Sequence, residues 1–213
     1  MSASNASWRT QSLKGRPALG LVLLLSLLVG LGVAALLTRT PAPRPVNADA
    51  QAFSAGRAFA DVQRLAVAPR PLGSAAHAEA RDWLMGRMQS LGLAPVIMEG
   101  PLSPGSIRRM ERWDETPEAT GYLVRNLVGH LPGRDPTAEP VVLMAHYDSV
   151  PGSPGAADDA TGVAAVLETV RAIKARGPTE RPLIVLITDA EELGLDGARV
   201  FFGDYPDRAR IGF

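Results

Sequence analysis

The chain has 213 residues, with 22 basic and 22 acidic side chains, and it contains no cysteine. Because the charges balance, the chain has no basic field, and we expect no nucleic-acid partner. The lack of cysteine excludes disulfides and thiolate metal sites, so a metal site would have to use histidine, aspartate and glutamate. The length suits one domain of ordinary size with an additional segment.

The first strong pattern is the apolar run from Leu19 to Leu37, in which nothing is more polar than Ser26. A helix of this length spans a hydrocarbon core. Basic residues before the run predict that residues 1–18 form a cytoplasmic tail. A cleaved signal peptide is the alternative, with Ala48-Asp49-Ala50 as the cleavage site. That site lies far beyond the run, and the run is longer than a usual signal core, so we predict an uncleaved transmembrane helix.

Residues 38–50 contain several prolines and are predicted to form a stiff, extended linker. From residue 51 the pattern is that of a folded domain. The first helix is predicted from apolar positions that share one face. These positions are Ala52, Ala55, Phe59, Val62 and Ala66. Ser74 can cap a second helix, in whose first turn His77 is predicted to face solvent.

Three further segments precede the centre of the domain. Residues 95–99 are predicted to form an edge strand, because Pro95 could not pair on both sides. The charged residues 101–118 show no apolar period and are predicted to form a solvated hairpin or flap. Residues 121–131 alternate loosely in polarity, which is typical of a strand.

The centre of the domain is a strand, a helix and a second strand. Val141–Ala145 and Leu183–Thr188 are continuously apolar, as in strands covered on both faces, and an amphipathic helix lies between them. This order predicts a parallel βαβ unit. The predicted fold class is α/β, the amino-terminal part of a mixed, mainly parallel sheet with helices on both faces. A helix is predicted at 194–202, and the apolar end at 211–213 resembles a strand that is beginning, so we expect residues 51–213 to be an incomplete domain.

Polar side chains follow both core strands, and each has an ordinary structural explanation. His146 could be a turn residue, Asp158-Asp159 could cap the helix, and Glu191-Glu192 could be solvated charges. Taken together these explanations are weaker, because neighbouring parallel strands deliver their carboxyl ends to the same rim. Carboxylates that are brought together need a cation to offset their repulsion. The sequence therefore predicts a metal site at this rim.

These motifs resemble the M28-type zinc aminopeptidases, which are exopeptidases with two zinc ions on a mixed α/β sheet. The resemblance rests on His146-x-Asp148-Ser149, on the segment from Gly155 to Gly162 and on Glu191-Glu192-x-Gly194. Together with the apolar run, the lead-in Arg70-Pro71-Leu72-Gly73-Ser74 is most similar to the membrane-bound branch, which includes the endoplasmic reticulum metallopeptidase and the vacuolar membrane protease. The resemblance covers the chain from Phe53 onward.

The resemblance implies a role for each polar residue at the rim. Asp158 matches the ligand that bridges the two metals, and His146 and Glu192 match the other ligands of one zinc. Glu191 matches the general base that takes a proton from the attacking water. Asp148 matches the carboxylate that orients His146 and fixes its tautomer.

The resemblance also implies ligands that this sequence lacks. In the family the second zinc takes an acidic ligand from the next strand and a histidine much later, so two zinc ions are expected for the complete domain and ligands for one are present here. The implied activity is hydrolysis of amino-terminal peptide bonds, with a peptide as substrate and the domain on the non-cytoplasmic side of a membrane. A glutaminyl cyclase-like acyltransferase and a non-catalytic, membrane-anchored relative are the alternatives.

Overall fold

A computed structural model describes residues 17–114, 121–205 and 211 of the chain. The chain divides into two compact units, residues 1–42 and 43–213. Apart from Pro17 and Ala18, the predicted cytoplasmic tail lies outside the described residues. The predicted last strand does so too, apart from Ile211.

The described part of the first unit is dominated by one long helix, α1 (Pro17–Leu37). Its residues from Ala18 onward are all exposed, and the mean hydropathy of its most apolar window is 2.7. A helix that is apolar on every side has no face suited to water. The predicted apolar helix is confirmed, and it has the length and composition of a membrane span.

The second unit contains four strands and six helices in the described ranges. The strands are β1 (Val96–Pro101), β2 (Leu123–Leu131), β3 (Val141–His146) and β4 (Leu183–Thr188). The helices are α2 (Ala55–Leu65), α3 (Ala75–Ser90), α4 (Pro104–Asp114), α5 (Thr161–Arg176), α6 (Glu191–Gly194) and α7 (Asp196–Asp204). A kinked turn at Ala156–Ala160, in which Asp158 and Asp159 have non-helical backbone angles, leads into α5.

The strands form one mixed sheet in the order β1-β2-β4-β3. β3 and β4 are parallel and joined through α5, whereas β2 runs antiparallel to both β1 and β4. His146 pairs with Thr188 and Pro101 pairs with Leu123, so the carboxyl ends of β1, β3 and β4 and the start of β2 share one rim. The predicted α/β fold with a mixed sheet and a βαβ unit is confirmed, and one of the three strand pairings in the described residues is parallel.

β4 is buried along its whole length, because helices cover both of its faces. Val185 and Ile187 pack in a core with α3 and α5, while Ile184 and Leu186 pack with Phe201 of α7. Burial on both sides explains why the strand is continuously apolar instead of alternating.

The predicted hairpin or flap at 101–118 is wrong for its described part, which contains helix α4. Ser103 accepts a hydrogen bond from the Ser106 backbone N–H (3.1 Å) at the start of this helix. Met110 is buried against the sheet, and Trp113 packs on the same cluster. The sequence shows no clear apolar period here, because arginines on the outer face of the helix separate its few apolar positions.

The predicted buried face of α2 is partly wrong. Phe59 is 57% exposed, and the buried residues are Ala58, Asp61 and Leu65. Asp61 lies on the inner face because its carboxylate accepts hydrogen bonds from Arg87 of α3, the closest at 3.2 Å. Because of this ion pair between α2 and α3, the buried face of α2 differs from the face that carries only apolar residues.

A buried carboxylate holds residues 46–52 against α5. Glu168 is 1% exposed and accepts hydrogen bonds from the Ser54 backbone N–H and from the side chains of Arg57 and Arg171. The same two arginines donate to five backbone carbonyls within residues 46–52. The second half of the predicted linker is thus fixed to the folded unit and is not a free extended chain.

Candidate metal centre

The polar motifs lie at the shared rim of the sheet. β3 ends at His146, β4 ends at Thr188, and the Tyr147 backbone N–H donates to the Thr188 carbonyl (3.0 Å) just beyond the last ladder pair. The two loops that carry the predicted site residues therefore leave the sheet side by side.

Arg70 holds the loop after β3 in place. Its guanidinium is buried and donates to the carbonyls of Tyr147 (2.9 Å), Leu65 (2.8 Å) and Pro154. The Arg70 backbone N–H also donates to the Ser149 hydroxyl (2.8 Å). Burial lowers the pKa of Arg70, while the nearby Asp148 opposes this shift. The sequence reasoning gave Arg70 no role, although its lead-in motif was the available signal.

The loop after β4 is organised around Asp189, which is fully buried. Its carboxylate accepts hydrogen bonds from the backbone N–H of Ala190 (2.8 Å) and Arg125 (2.8 Å), and it pairs with His77 Nε2 at 2.7 Å. The imidazole of His77 also stacks on Tyr147, with ring centroids 4.8 Å apart. The prediction that His77 faces solvent is wrong, because a buried carboxylate at the rim requires a polar partner.

Asp148 links the two loops. One carboxylate oxygen accepts a hydrogen bond from the Glu191 backbone N–H and the other accepts one from the Glu192 backbone N–H, both at 3.1 Å. Asp148 Oδ1 also lies 3.3 Å from His146 Nδ1, but without hydrogen-bond geometry. This buried nitrogen therefore has no hydrogen-bond partner in the part of the chain that the structure describes.

The other nitrogen of His146 faces the remaining carboxylates. Its Nε2 lies 3.0 Å from Asp158 Oδ1 and 3.7 Å from Glu191 Oε2. The Asp158 side chain is 77% exposed. Asp159 points elsewhere: it accepts hydrogen bonds from the backbone N–H of Gly162 (2.9 Å) and of His146 (3.3 Å), so it caps α5. Helix capping is thus the role of Asp159, and Asp158 remains directed at the imidazole.

The electrostatics of the rim are those of crowded negative charge. Burial alone would lower the pKa of His146, but Asp148, Asp158 and Glu191 raise it to about 9. Burial raises the pKa of Glu192, and repulsion from Asp158 and Asp148 raises it further. A cation is favoured at such a place, whether it is a proton on His146 or a metal ion.

The donor set suits a divalent metal such as zinc, which binds imidazole and carboxylate. A metal bound at Nε2 of His146 would leave the ring proton on Nδ1, which could then donate to Asp148. The buried Nδ1, which has no hydrogen-bond partner among the described residues, would gain one in this way. The carboxylates of Asp158 and Glu191 raise the pKa of this imidazole, and the imidazole in turn opposes the rise in the pKa of Glu192. Across the described ranges, however, no three such donors already stand at metal-binding distances from a common point.

Solved structures define the class of this fold. The chain resembles the zinc aminopeptidase BSAP from Bacillus subtilis, with a TM-score of 0.63, 17% identity and coverage of 76% of this chain and 68% of that chain. It also resembles the glutaminyl cyclase of Porphyromonas gingivalis, with a TM-score of 0.57, 25% identity and coverage of 74% and 55%. The predicted zinc exopeptidase-like fold is confirmed.

The family follows from the sequence comparisons. Residues 126–213 match Peptidase family M28, and this range contains all five predicted site residues. The vacuolar membrane protease of Candida dubliniensis is 31% identical over 155 residues, which is 72% of this chain and 16% of that relative. The resemblance is confirmed: the chain carries an M28 peptidase segment and spans about a sixth of the length of the curated relatives it matches.

Proposed function

We propose that the protein is a zinc-dependent exopeptidase of the aminopeptidase type, which hydrolyses the amino-terminal peptide bond of its substrate. The observation that carries this proposal is the position of the His146 imidazole between Asp148 on one side and Asp158 and Glu191 on the other. These groups lie within the segment that matches the M28 peptidases.

His146, Asp158 and Glu192 are the proposed zinc ligands, and Asp158 would bridge to a second zinc in the complete domain. When bound, zinc polarises the scissile carbonyl and lowers the pKa of water. Asp148 would hold the imidazole in one tautomer through Nδ1 and fix the backbone of the glutamate pair.

Glu191 is the proposed general base. Its Oε2 lies on the same side of the imidazole as Asp158. From there it would accept a proton from the attacking water and return it to the departing amine. The two adjacent glutamates thus have different proposed roles, although they are chemically alike.

The substitutions Glu191→Gln and Glu192→Gln test this division of roles. In a version that carries the complete family domain, loss of the base in Glu191→Gln should lower hydrolysis of an aminoacyl p-nitroanilide by about 10²–10⁴ and leave the zinc content nearly unchanged. Glu192→Gln removes a charged ligand and should lower both zinc content and hydrolysis. Metal analysis and initial rates on the same preparations are the measurements.

A distant carboxylate provides the control. The side chain of Glu139 is 64% exposed and lies before β3, so Glu139→Gln should change neither quantity. If Glu191→Gln lost zinc while Glu192→Gln retained it, the assignment of the two roles would be reversed and the proposed mechanism wrong.

An acyltransferase like the glutaminyl cyclases is the second candidate, and the structural similarity to the Porphyromonas gingivalis enzyme favours it. The two functions differ in their products. A cyclase would convert an amino-terminal glutamine peptide to its pyroglutamyl form without cleaving the chain, and mass spectrometry separates the two outcomes. A protein that binds no zinc and yields neither product would be the non-catalytic relative.

The proposed membrane location of the protein rests on the apolar run and on the basic residues before it. We propose a tail at 1–18, a single span at 19–37 and a linker at 38–50 whose second half is held by the peptidase domain. This domain follows from residue 51 and lies on the non-cytoplasmic side. The basic residues before the span support this orientation. In sealed vesicles of known sidedness, protease added from the cytoplasmic side should leave the domain intact. Digestion of the domain from that side would overturn the orientation.

A further inference from the structure

A buried histidine from α3 lies behind both loops of the candidate metal centre. The side chains of His77 and Asp189 are both buried, and His77 Nε2 lies 2.7 Å from Asp189 Oδ1. Because a carboxylate only accepts hydrogen bonds, the imidazole donates from Nε2. The mechanism proposed above uses neither of these side chains, so their pairing needs an explanation of its own.

The imidazole of His77 contacts each loop in a different way. Its ring stacks on Tyr147, the residue after His146, with ring centroids 4.8 Å apart and planes inclined by 15°. Its Nε2 binds Asp189, which directly follows β4. One side chain therefore supports both the loop that carries His146 and the loop that carries the two glutamates.

The Asp189 carboxylate fixes the start of the glutamate turn, residues 190–195. Its Oδ1 accepts a hydrogen bond from the Ala190 backbone N–H (2.8 Å) as well as from His77. Its Oδ2 accepts one from the Arg125 backbone N–H (2.8 Å). Ala190 has a φ of +54°, a left-handed conformation that persists at a non-glycine residue where the surroundings hold it. Because Glu191 comes next, the conformation of Ala190 sets the direction in which the glutamate pair leaves β4.

Loss of the imidazole would weaken this hold. Asp189 would keep two backbone N–H partners but no side-chain donor, although its side chain is fully buried. A buried charge is costly unless it is paired and hydrogen-bonded. The carboxylate is therefore expected to turn or to take up water, and the backbone of Ala190 would lose its fixed partner.

We propose that His77 and Asp189 are positioning residues, which hold the glutamate turn in the place that the metal centre requires. The proposal rests on the proposed zinc peptidase function and adds two residues to its site. Both residues act through the backbone of Ala190 and not by contact with the substrate.

Two substitutions of His77 separate its two contacts. His77→Phe keeps a ring for stacking on Tyr147 but has no donor for Asp189. His77→Gln loses the ring but keeps an N–H donor at a similar distance from the backbone. Since the positioning role is assigned to the hydrogen bond, only His77→Phe should disturb the glutamate turn.

Hydrogen exchange of the metal-free full chain in detergent micelles, followed by mass spectrometry, is the first measurement. The backbone N–H groups of Glu191 and Glu192 donate to Asp148 in the folded chain. His77→Phe should speed exchange in the peptide that contains them by about tenfold or more, because local opening depends on local contacts. His77→Gln should stay close to the unmodified protein.

The zinc affinity of the same proteins, from competition with a chelator, is the second measurement. Loss of a residue that supports metal ligands typically weakens metal binding by about 10–100-fold, and this range is expected for His77→Phe. For His77→Gln the affinity should remain within about threefold of the unmodified protein.

Asp61→Asn is the matched control. Asp61 is also a buried carboxylate with a cationic partner, but that partner is Arg87, ten residues after His77 on α3. At the rise of an α-helix, Arg87 is about 15 Å from His77. Asp61→Asn should lower the overall stability without a selective effect on the glutamate turn or on the zinc affinity.

The outcomes separate the positioning role from the function. The positioning role is overturned if His77→Phe and Asp61→Asn affect the turn equally, or if His77→Gln behaves like His77→Phe; zinc binding by the unmodified protein would still stand. If the unmodified protein binds no zinc but His77→Phe selectively speeds exchange at the turn, the zinc function is overturned and the positioning of the turn stands. Should circular dichroism show that His77→Phe is unfolded, Asp189→Asn takes its place with the same expectations.

Discussion

Arg70 connects the fold to the candidate site, since one buried guanidinium satisfies carbonyls from the end of α2 and from the loop after β3. Removal of the side chain would leave the carbonyls of Leu65 and Tyr147, two buried residues, without this donor. The residue is thus expected to matter for stability as well as for the shape of the site.

Arg70→Met is expected to lower the free energy of unfolding by about 3–5 kcal/mol, because each buried carbonyl left without a donor costs about 1–3 kcal/mol. Urea unfolding followed by circular dichroism is the measurement. Arg134→Met is the control, because the pair of Arg134 with Glu180 is largely exposed and should contribute about 0–1 kcal/mol. Equal effects of the two substitutions would contradict the assigned role of Arg70.

Glu168 gives a prediction about pH. Burial alone would raise its pKa, but hydrogen bonds from Arg171, Ser54 and Arg57 outweigh burial and lower it below the ordinary value of 4.5. A group whose pKa is lower in the folded state stabilises the fold above its unfolded pKa, and this stabilisation disappears as the pH falls through the folded value.

Glu168→Gln should therefore destabilise the protein at pH 7 by about 1.5–3 kcal/mol, the range for hydrogen bonds to a charged group. Below a pH of about 4 the difference from the unmodified protein should shrink. Urea unfolding at several pH values measures it. A difference that is the same at pH 7 and at pH 3 would show that the charge of Glu168 is not the cause.

At the scale of elements, helix α7 is packed closely on the loop after β4. A Cβ at Gly197 would overlap the Asp189 carbonyl and lie 2.6 Å from Asn126 Oδ1, whereas a Cβ at Gly203 in the same helix would meet nothing within 4 Å. The close approach brings the Asn126 amide into a hydrogen bond with the Gly197 carbonyl (2.7 Å). The position of α7 therefore depends on the glycine at its start.

Gly197→Ala should lower the free energy of unfolding by about 1–3 kcal/mol, as overpacking of a tight contact does. Gly203→Ala should be neutral or stabilising by up to about 1 kcal/mol, because alanine favours a helix more than glycine does. Thermal unfolding compares the two variants. Similar melting temperatures for both would show that α7 can move away at little cost.

At the scale of the whole molecule, the long apolar helix gives a test of membrane insertion. Leu27→Lys together with Leu28→Lys should release the protein from membranes in alkaline carbonate, since each lysine at a helix centre costs about 2.5–3.5 kcal/mol on the insertion scale. The double variant with valine at both positions should stay in the membrane fraction. Continued retention of the lysine variant would contradict a membrane span.

The sequence alone determined the elements whose patterns are local. The apolar run predicted α1, two continuously apolar segments predicted β3 and β4, and the helical pattern between them predicted a parallel pairing. Because parallel strands end at one rim, the sequence also predicted that the site residues lie near one another. Carboxylate oxygens of Asp148, Asp158 and Glu191 lie 3.0–3.7 Å from the ring nitrogens of His146.

Only the tertiary structure decided the features that depend on partners distant in sequence. His77 is buried because its imidazole pairs with the carboxylate of Asp189. Asp61 of α2 faces inward because it pairs with Arg87. Arg70 is buried because its guanidinium binds backbone carbonyls from two segments. No local pattern signals these contacts, since a charged side chain in a sequence usually indicates exposure. A polar group becomes stable in the interior only through the partners that the folded chain brings to it.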